Sequence, residues 1–281
     1  MLFGGVNEVN GDPLKYEVVG DTVTIKDCKE TASGALAIPS IYEGKPVTSI
    51  GDWAFYGCTK LTRVTIPDSV TGIGYAALSK CSSLTSIDVG EANTEYSSED
   101  GVLFDKNKTV LIHFPAGKSG HYTIPDSVTS IGWDAFSGCS SLTSVTIGDS
   151  VTSILWGAFA GCSSLTGVTI PDSVTSIGHL SFAGCRSLAS MTFPESLTYI
   201  SWGAFEGCSS LTSLTIPDSV TSIEGETFQG CSSLTSVTIP DSVTSIGEYA
   251  FSGCTSLTSV TIPDSVISIY NGAFEGCTSL K

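Results

Sequence analysis

The sequence predicts a repeat solenoid of the α/β class, in which units of 23 residues each form one coil. Three observations predict this fold: a cysteine at constant spacing, apolar positions that recur at fixed places in every unit, and an outward–inward alternation within each unit. The cysteines at the 23-residue interval are Cys139, Cys162, Cys185, Cys208, Cys231, Cys254 and Cys277, and the step from Cys58 to Cys81 is the same. One unit cannot bury its apolar side alone, but stacked units share a continuous core.

Each coil is predicted to contain two short strands and one helical turn. Residues 236–239 alternate outward and inward, as a β-strand requires, and equivalent strands of stacked coils would pair in a parallel sheet. Pro240 cannot donate to a sheet, so this strand ends there. A second short strand at 243–246 and one helical turn at 248–252 complete the coil on its other side.

Two stretches depart from the period and suggest the domain organisation. Residues 1–34 contain two β-rich runs on either side of a Gly-Asp turn, which predicts a cap with a β-hairpin over the first coil. Residues 35–90 and 125–281 are predicted to be regular repeats, and the C-terminal end is predicted to be uncapped. Residues 91–124 form one elongated repeat that is 12 residues too long, and we expect an inserted β-hairpin there.

Composition and charge exclude some classes of partner. Only 14% of the residues are charged, against 41% that are hydrophobic, and the net charge is −16. Between Ser119 and Leu280 there are 13 carboxylates and a single cation, Arg186. Such a surface repels phosphate groups, so neither nucleic acid nor an anionic lipid surface is an expected partner. The sequence contains no run of about 18 apolar residues, so membrane insertion is not expected. Residues 1–5 do not resemble a signal peptide.

Three sequence features resemble the BspA-like (Treponema-type) leucine-rich repeats of bacterial and protist surface proteins. They are the unit L-T-S-V-T-I-P-D-S-V-T-S-I-G-x-x-A-F-x-G-C, the opening Y-E-V-V-G-D-T-V-T-I at 16–25, and D-G-V-L-F-D-K-N-K-T-V-L-I-H-F-P at 100–115. The resemblance implies a right-handed leucine-rich-repeat solenoid with its parallel sheet on the concave face. It also implies placement at the cell surface or secretion, and adhesion to host or neighbouring-cell molecules. Serine replaces the asparagine that many such repeats carry after the strand, as at Ser173, Ser219 and Ser242.

The cysteine column is predicted to consist of buried free thiols. Residues of one column point the same way, side by side, which disfavours disulfides between coils. There is also no C-x-x-C pair that would indicate a zinc site.

An acidic column has two interpretations. Its members are Asp126, Asp149, Asp172, Glu195, Asp218, Asp241 and Asp264. Each carboxylate is expected to accept a hydrogen bond from the backbone of its own turn. Calcium binding between coils is the alternative, with Asp149, Asp172, Asp218 and Asp241 as candidate ligands.

Neither catalysis nor a cofactor is predicted. The three histidines, His113, His121 and His179, lie in no nucleophile or zinc motif, and the serines and aspartates simply follow the period. The outward serines and threonines of the main strand form a hydroxyl lattice that could order water, as in ice-binding solenoids. The curvature expected of a leucine-rich-repeat sheet argues against that function.

One column varies while the rest of the unit repeats. Two residues after the isoleucine of each unit stand Asp52, Tyr75, Trp133, Trp156, His179, Trp202, Gly225, Glu248 and Asn271. These rings either pack over the phenylalanine three residues further on, which is the favoured interpretation, or form a recognition surface. The candidate ligand-binding residues are therefore Tyr75, Trp133, Trp156, His179 and Trp202.

The sequence predicts a monomeric, non-enzymatic module that binds a protein or a glycan, either through the concave strand face or through the aromatic residues of the variable column. The alternative is a structural spacer that displays another domain.

Overall fold

The computed structural model describes residues 6–8 by their backbone and residues 11–281 in full. Residues 1–5 and 9–10, the first part of the predicted cap and of the segment compared with a signal peptide, lie outside this description. The chain divides into two units, Met1–Lys118 and Ser119–Lys281, called unit 1 and unit 2 below. The division falls within the elongated repeat predicted at 91–124. No helix that could span a membrane occurs in the described residues.

Unit 1 combines repeat strands with antiparallel hairpins. Its described strands are β1 (Val6–Glu8), β2 (Leu14–Val19), β3 (Thr22–Cys28), β4 (Ser33–Ala37), β5 (Ile41–Tyr42), β6 (Lys45–Ile50), β7 (Lys60–Ile66), β8 (Gly72–Ile73), β9 (Ser86–Val89), β10 (Tyr96–Glu99), β11 (Val102–Asp105) and β12 (Val110–His113). Strands β1, β2 and β3 pair antiparallel, and β3 then continues into β6 and β8 by parallel pairing. Strands β4, β7 and β9 form a second parallel sheet. Strands β10, β11 and β12 form an antiparallel meander in the elongated repeat.

Unit 2 is a regular solenoid. Its described strands are β13 (Gly120–Thr123), β14 (Ser130–Ile131), β15 (Leu142–Thr146), β16 (Ser153–Ile154), β17 (Gly167–Thr169), β18 (Ser176–Ile177), β19 (Ser190–Thr192), β20 (Tyr199–Ile200), β21 (Ser213–Thr215), β22 (Ser222–Ile223), β23 (Ser236–Thr238), β24 (Ser245–Ile246) and β25 (Ser268–Ile269). The longer strands pair parallel as β13-β15-β17-β19 and β21-β23 and form the main sheet. The two-residue strands pair parallel as β14-β16-β18-β20 and β22-β24-β25. Partners such as Val145 and Val168 lie 23 residues apart, which confirms the predicted coil length and parallel pairing.

Fixed columns of apolar side chains form the core of unit 2. The phenylalanine rings stack from coil to coil, with centroids 4.8 Å apart between Phe136 and Phe159 and 5.3 Å apart between Phe182 and Phe205. These four rings are 0% exposed. Because each ring packs on an identical ring one coil away, the same aromatic contact continues along the stack.

The helical turn predicted at 248–252 is wrong, and the described residues form no helix, so the α/β class is not confirmed. In an α-helix an N–H group beyond the first turn donates to the carbonyl four residues back in the same segment. Here the N–H groups of Ala250 and Ser252 donate three residues back, whereas those of Tyr249 and Phe251 donate to carbonyls of the next coil. Tyr249 also has a φ of 54°, outside the helical range. Hydrogen bonds between coils therefore replace a helix with a series of tight turns.

The turn after each main strand is closed without the aspartate. The N–H of Val243 donates to the carbonyl of Pro240 at 3.1 Å, and the Ser242 hydroxyl donates to the carbonyl of Val220 in the preceding coil at 2.7 Å. Asp241 is exposed, and no described residue donates a hydrogen bond to its carboxylate. The predicted backbone-capping role of the acidic column is therefore wrong, because backbone and serine groups already satisfy the turn.

The serine after the main strand links neighbouring coils in unit 2. Donation of the hydroxyl to a carbonyl 22 residues earlier recurs from Ser173 to Val151, Ser196 to Val174, Ser219 to Leu197, Ser242 to Val220 and Ser265 to Val243. We call this series the serine ladder.

Candidate ligand-binding surface

Three tryptophan rings of unit 2 lie outside the core. Trp133, Trp156 and Trp202 expose 62%, 46% and 38% of their surfaces. The phenylalanine three residues further on in each of these coils is 0% exposed. We call Trp133, Trp156, the half-buried His179 and Trp202 the aromatic stripe. Rings that are this exposed can contact a ligand, whereas the phenylalanines cannot.

Local backbone geometry holds these rings on the surface. The residue after each member of the stripe has a positive φ: 53° at Asp134, 64° at Gly157, 53° at Leu180 and 62° at Gly203. This left-handed conformation is readily adopted by glycine and at a modest cost by aspartate. It turns the backbone sharply immediately after the ring, so the next residues enter the core while the ring stays outside.

Contacts between coils bring the members of the stripe together. The rings of Trp156 and His179 have centroids 5.6 Å apart, and His179 Nδ1 lies 2.8 Å from the carbonyl oxygen of Trp202. A β-carbon on Gly225 would stand 2.6 Å from the Trp202 ring, so that ring lies against Gly225 and covers the next coil. The stripe is therefore supported by the backbone beneath it and is partly rigid before any ligand binds.

The fifth predicted residue, Tyr75, belongs to unit 1. It is half-buried and forms an edge-to-face contact with Trp53, with centroids 5.8 Å apart. Trp53 is 55% exposed and was not predicted as a candidate, because it stands one residue later than the variable column. A tryptophan directly after a member of the variable column is the sequence signal that could have identified Trp53.

Carboxylates accompany the stripe. The Asp134 carboxylate contacts Gly157, the residue next to Trp156. The Glu206 carboxylate reaches to 3.8 Å from the position that a β-carbon of Gly203 would occupy, next to Trp202. Two carboxylates therefore lie near the backbone next to Trp156 and Trp202.

A second surface lies on the main sheet of unit 2, the strand face predicted from the sequence as the alternative contact surface without candidate ligand-binding residues. It is a groove of about 430 Å³ lined by His121, Ser144, Val145, Thr146, Gly167, Val168, Thr169, Ser190, Met191 and Thr192. Gly167 stands where neighbouring coils carry serine, and nothing lies within 4 Å of the position its β-carbon would occupy. At one end, His121 Nδ1 lies 2.8 Å from the Ser144 hydroxyl. The break in the serine column at Gly167 was the available sequence signal, and it also interrupts the hydroxyl lattice.

A neighbouring groove of about 510 Å³ follows along the same sheet. It lies between β19 and β21, where the main sheet is interrupted. The coil there departs from the repeat, with Met191 and Phe193 in place of smaller apolar residues, and its rim carries Glu195 and Asp218.

The cysteine column consists of free thiols, which confirms the prediction, and all but the half-buried Cys277 are buried. Thiols donate to the phenylalanine carbonyls of preceding coils, as from Cys162 to Phe136 at 3.1 Å. Burial raises the pKa of the Cys81 thiol to about 12, and it does the same for Cys254. These thiols are packing groups with weak hydrogen bonds, and their raised pKa makes them poor nucleophiles.

The remaining titratable candidates form no metal centre among the described residues. His113 is buried, its Nε2 has no hydrogen-bond partner in the described structure, and burial lowers its pKa to about 4. The calcium candidates Asp149, Asp172, Asp218 and Asp241 are all exposed. Within residues 11–281 no group of three or more acidic, histidine or cysteine side chains has the arrangement of a metal site.

Comparison with known proteins indicates a family. Six copies of the BspA type leucine rich repeat region match residues 33–116, 113–235 and 203–281. A leucine-rich repeat protein of Eubacterium ventriosum is 34% identical, with a TM-score of 0.79 over 88% of this chain and 66% of that chain. A leucine-rich repeat protein of Bacteroides ovatus is 30% identical, with a TM-score of 0.56 over 96% of this chain and 80% of that chain. The match does not indicate a catalytic family.

The fold extends to a more distant protein. The pneumococcal vaccine antigen PcpA is 17% identical, with a TM-score of 0.59 over 97% of this chain and 95% of that chain. No match is found among curated proteins.

Proposed function

The chain belongs to the BspA-type leucine-rich repeat family, and we propose that it is a non-enzymatic binding module of a surface or secreted protein. Membership of this family suggests a protein-interaction module. The specific proposal is that a monomer adheres to a protein or glycan of a host or neighbouring cell. The observation that carries it is the exposure of Trp133, Trp156 and Trp202 beside a fully buried phenylalanine column.

Physical chemistry supports the aromatic stripe as the contact surface. Burying a large, half-exposed ring against a ligand removes apolar area from water, and an indole has few rotamers to lose. Tryptophan is correspondingly enriched among the residues that dominate binding energy. The Trp202 ring already lies against Gly225. Less side-chain entropy is therefore lost when a ligand binds to it.

A binding panel of glycans and extracellular-matrix proteins tests the proposal. We expect the wild-type protein to bind at least one ligand, and we expect Trp156→Ala to abolish that binding with little change in melting temperature. Tyr199→Ala is the matched control, since Tyr199 is 44% exposed in the same unit but stands outside the stripe.

Three outcomes contradict the proposal. A structural spacer would bind nothing on the panel. A large fall in the melting temperature of the Trp156 variant would assign its ring to packing. Equal loss of binding in the Trp156 and Tyr199 variants would mean that the stripe is not the contact surface.

A further inference from the structure

Charge is distributed unequally between the two units. Of the 12 lysine and arginine residues, only Arg186 and Lys281 belong to unit 2, which leaves ten in unit 1. Unit 2 carries 13 of the 28 acidic residues. Its surface potential is therefore negative, and it attracts cationic partners and repels anionic ones.

The carboxylates next to the stripe give this charge a local geometry. Asp134 contacts the backbone beside Trp156, and Glu206 reaches toward the backbone beside Trp202. Both acidic side chains are half-buried, so water screens their charges less than it screens the exposed aspartates of the turns. A cation placed over either indole would be attracted by the ring face and by the adjacent carboxylate together.

Unit 1 contains an example of such a contact. The Lys80 ammonium lies 4.9 Å from the centroid of the Tyr56 ring, which is itself 40% exposed. In unit 1 a lysine of the chain occupies the aromatic face. Unit 2, with only two cations in its sequence, supplies no lysine within its stripe.

We propose that the aromatic stripe docks a lysine- or arginine-bearing segment of a partner protein, with the cationic side chains held between the indole faces and the carboxylates of Asp134 and Glu206. This inference rests on the proposed function, since it names the class of partner for the same surface. Charge complementarity favours this partner over a neutral glycan, which would use the rings but carries no positive charge for the carboxylates to attract.

The test uses two synthetic peptides, one with alternating arginine and serine and one with citrulline in place of every arginine. Citrulline is close to arginine in size and is also planar at its end, but it is uncharged, because a carbonyl oxygen replaces one nitrogen of the guanidinium. We expect the arginine peptide to bind the wild-type protein and the citrulline peptide to bind about tenfold more weakly. Isothermal titration calorimetry at low and at physiological salt measures the affinity of each peptide. The affinity of the arginine peptide should fall as the salt concentration rises.

Protein variants separate a specific site from general attraction. Trp156→Ala and the pair Asp134→Asn/Glu206→Gln should each weaken the arginine peptide about tenfold. The control pair Asp149→Asn/Asp172→Asn removes the same charge from exposed positions outside the stripe and should change the affinity less than about twofold. Equal losses from the two pairs, or no binding of the arginine peptide, would overturn the inference.

A neutral oligosaccharide distinguishes this inference from the proposed function beneath it. If a chito-oligosaccharide binds, Trp156→Ala abolishes that binding and the Asp134/Glu206 pair leaves it unchanged, the stripe is a glycan site and the cationic partner is wrong. If Trp156→Ala leaves the binding of every probe unchanged, both the cationic partner and the stripe itself are wrong.

Discussion

Units 1 and 2 share a repeat but are stabilised in different ways. Unit 1 uses antiparallel pairing at β2–β3 and β10–β11–β12, and it contains ion pairs such as Arg63–Asp88 at 3.0 Å. Unit 2 has almost no cations and relies on identical groups stacked at the coil interval: phenylalanine rings, thiols and serine hydroxyls. Exposed ion pairs contribute little stability each, whereas buried columns contribute at every coil.

The difference also explains why the two units offer different surfaces. In a regular stack, the positions that pack the core stay apolar, so polar and aromatic variation is concentrated at outward positions such as the stripe. In unit 1 the irregular segment of the elongated repeat instead forms internal hydrogen bonds. Asn93, which is 0% exposed, donates to the carbonyls of Pro67 and Val70 and accepts from the N–H groups of Glu95 and Tyr96.

The largest expected effect comes from interrupting the phenylalanine stack of unit 2. Phe205→Ala removes a fully buried ring that contacts rings in both neighbouring coils, so we expect the free energy of unfolding to fall by about 3–5 kcal/mol. Chemical denaturation followed by circular dichroism measures the change. A loss as small as that of the exposed Thr238→Ala, which should stay within about 0.5 kcal/mol, would contradict the stacked-core account.

A comparable single effect in unit 1 should come from a polar residue. Asn93→Ala leaves two carbonyls and two N–H groups of the elongated repeat without their partner, and we expect a loss of about 2–4 kcal/mol. Denaturation of this variant alongside Phe205→Ala tests the comparison directly. If Asn93→Ala were neutral, water would be satisfying these groups and unit 1 would not depend on this network.

The thiol column is common to both units and makes stability depend on pH. An unfolded cysteine releases its proton above pH about 9, but the buried Cys81 and Cys254 thiols do so only near their raised pKa of about 12. The unfolded state therefore binds fewer protons between these values, and stability falls as pH rises through this window, by about 1.4 kcal/mol per pH unit for each such thiol.

Replacement of one thiol isolates its contribution. In Cys254→Ala the fall of stability between pH 9 and 11 should be shallower by the share of one thiol, as measured by urea denaturation at each pH. An unchanged slope would mean that this thiol titrates normally in the folded protein.

The smallest effect concerns one rung of the serine ladder in unit 2. Ser242→Ala leaves the Val220 carbonyl without its hydroxyl donor, and we expect a loss of about 1 kcal/mol. Hydrogen exchange at the neighbouring coils measures it, and the same substitution at Ser236, an exposed serine of the main strand, provides the control. Equal losses of stability from the two substitutions would show that the serine ladder does not stabilise the protein.

The sequence by itself determined the 23-residue coil, the parallel pairing, the buried thiols and the family, because each depends on which residue types recur at a fixed interval. A buried column must be apolar in every copy, so burial is visible as periodicity. The tryptophans of unit 2 could also be placed in one column from the sequence, because they recur at multiples of the same interval. Whether those rings were packed or exposed was not visible, since both arrangements fit the same spacing.

Only the tertiary structure decided which groups of neighbouring coils form hydrogen bonds with one another. The segment at 248–252 forms turns because the next coil accepts its N–H groups, and Ser242 stabilises the coil junction by donating to a carbonyl 22 residues earlier. The left-handed residues after each ring expose the stripe and bring Asp134 and Glu206 beside it. Such contacts join residues in different coils, and no pattern within a single unit specifies them, because the partner is fixed only when the coils stack.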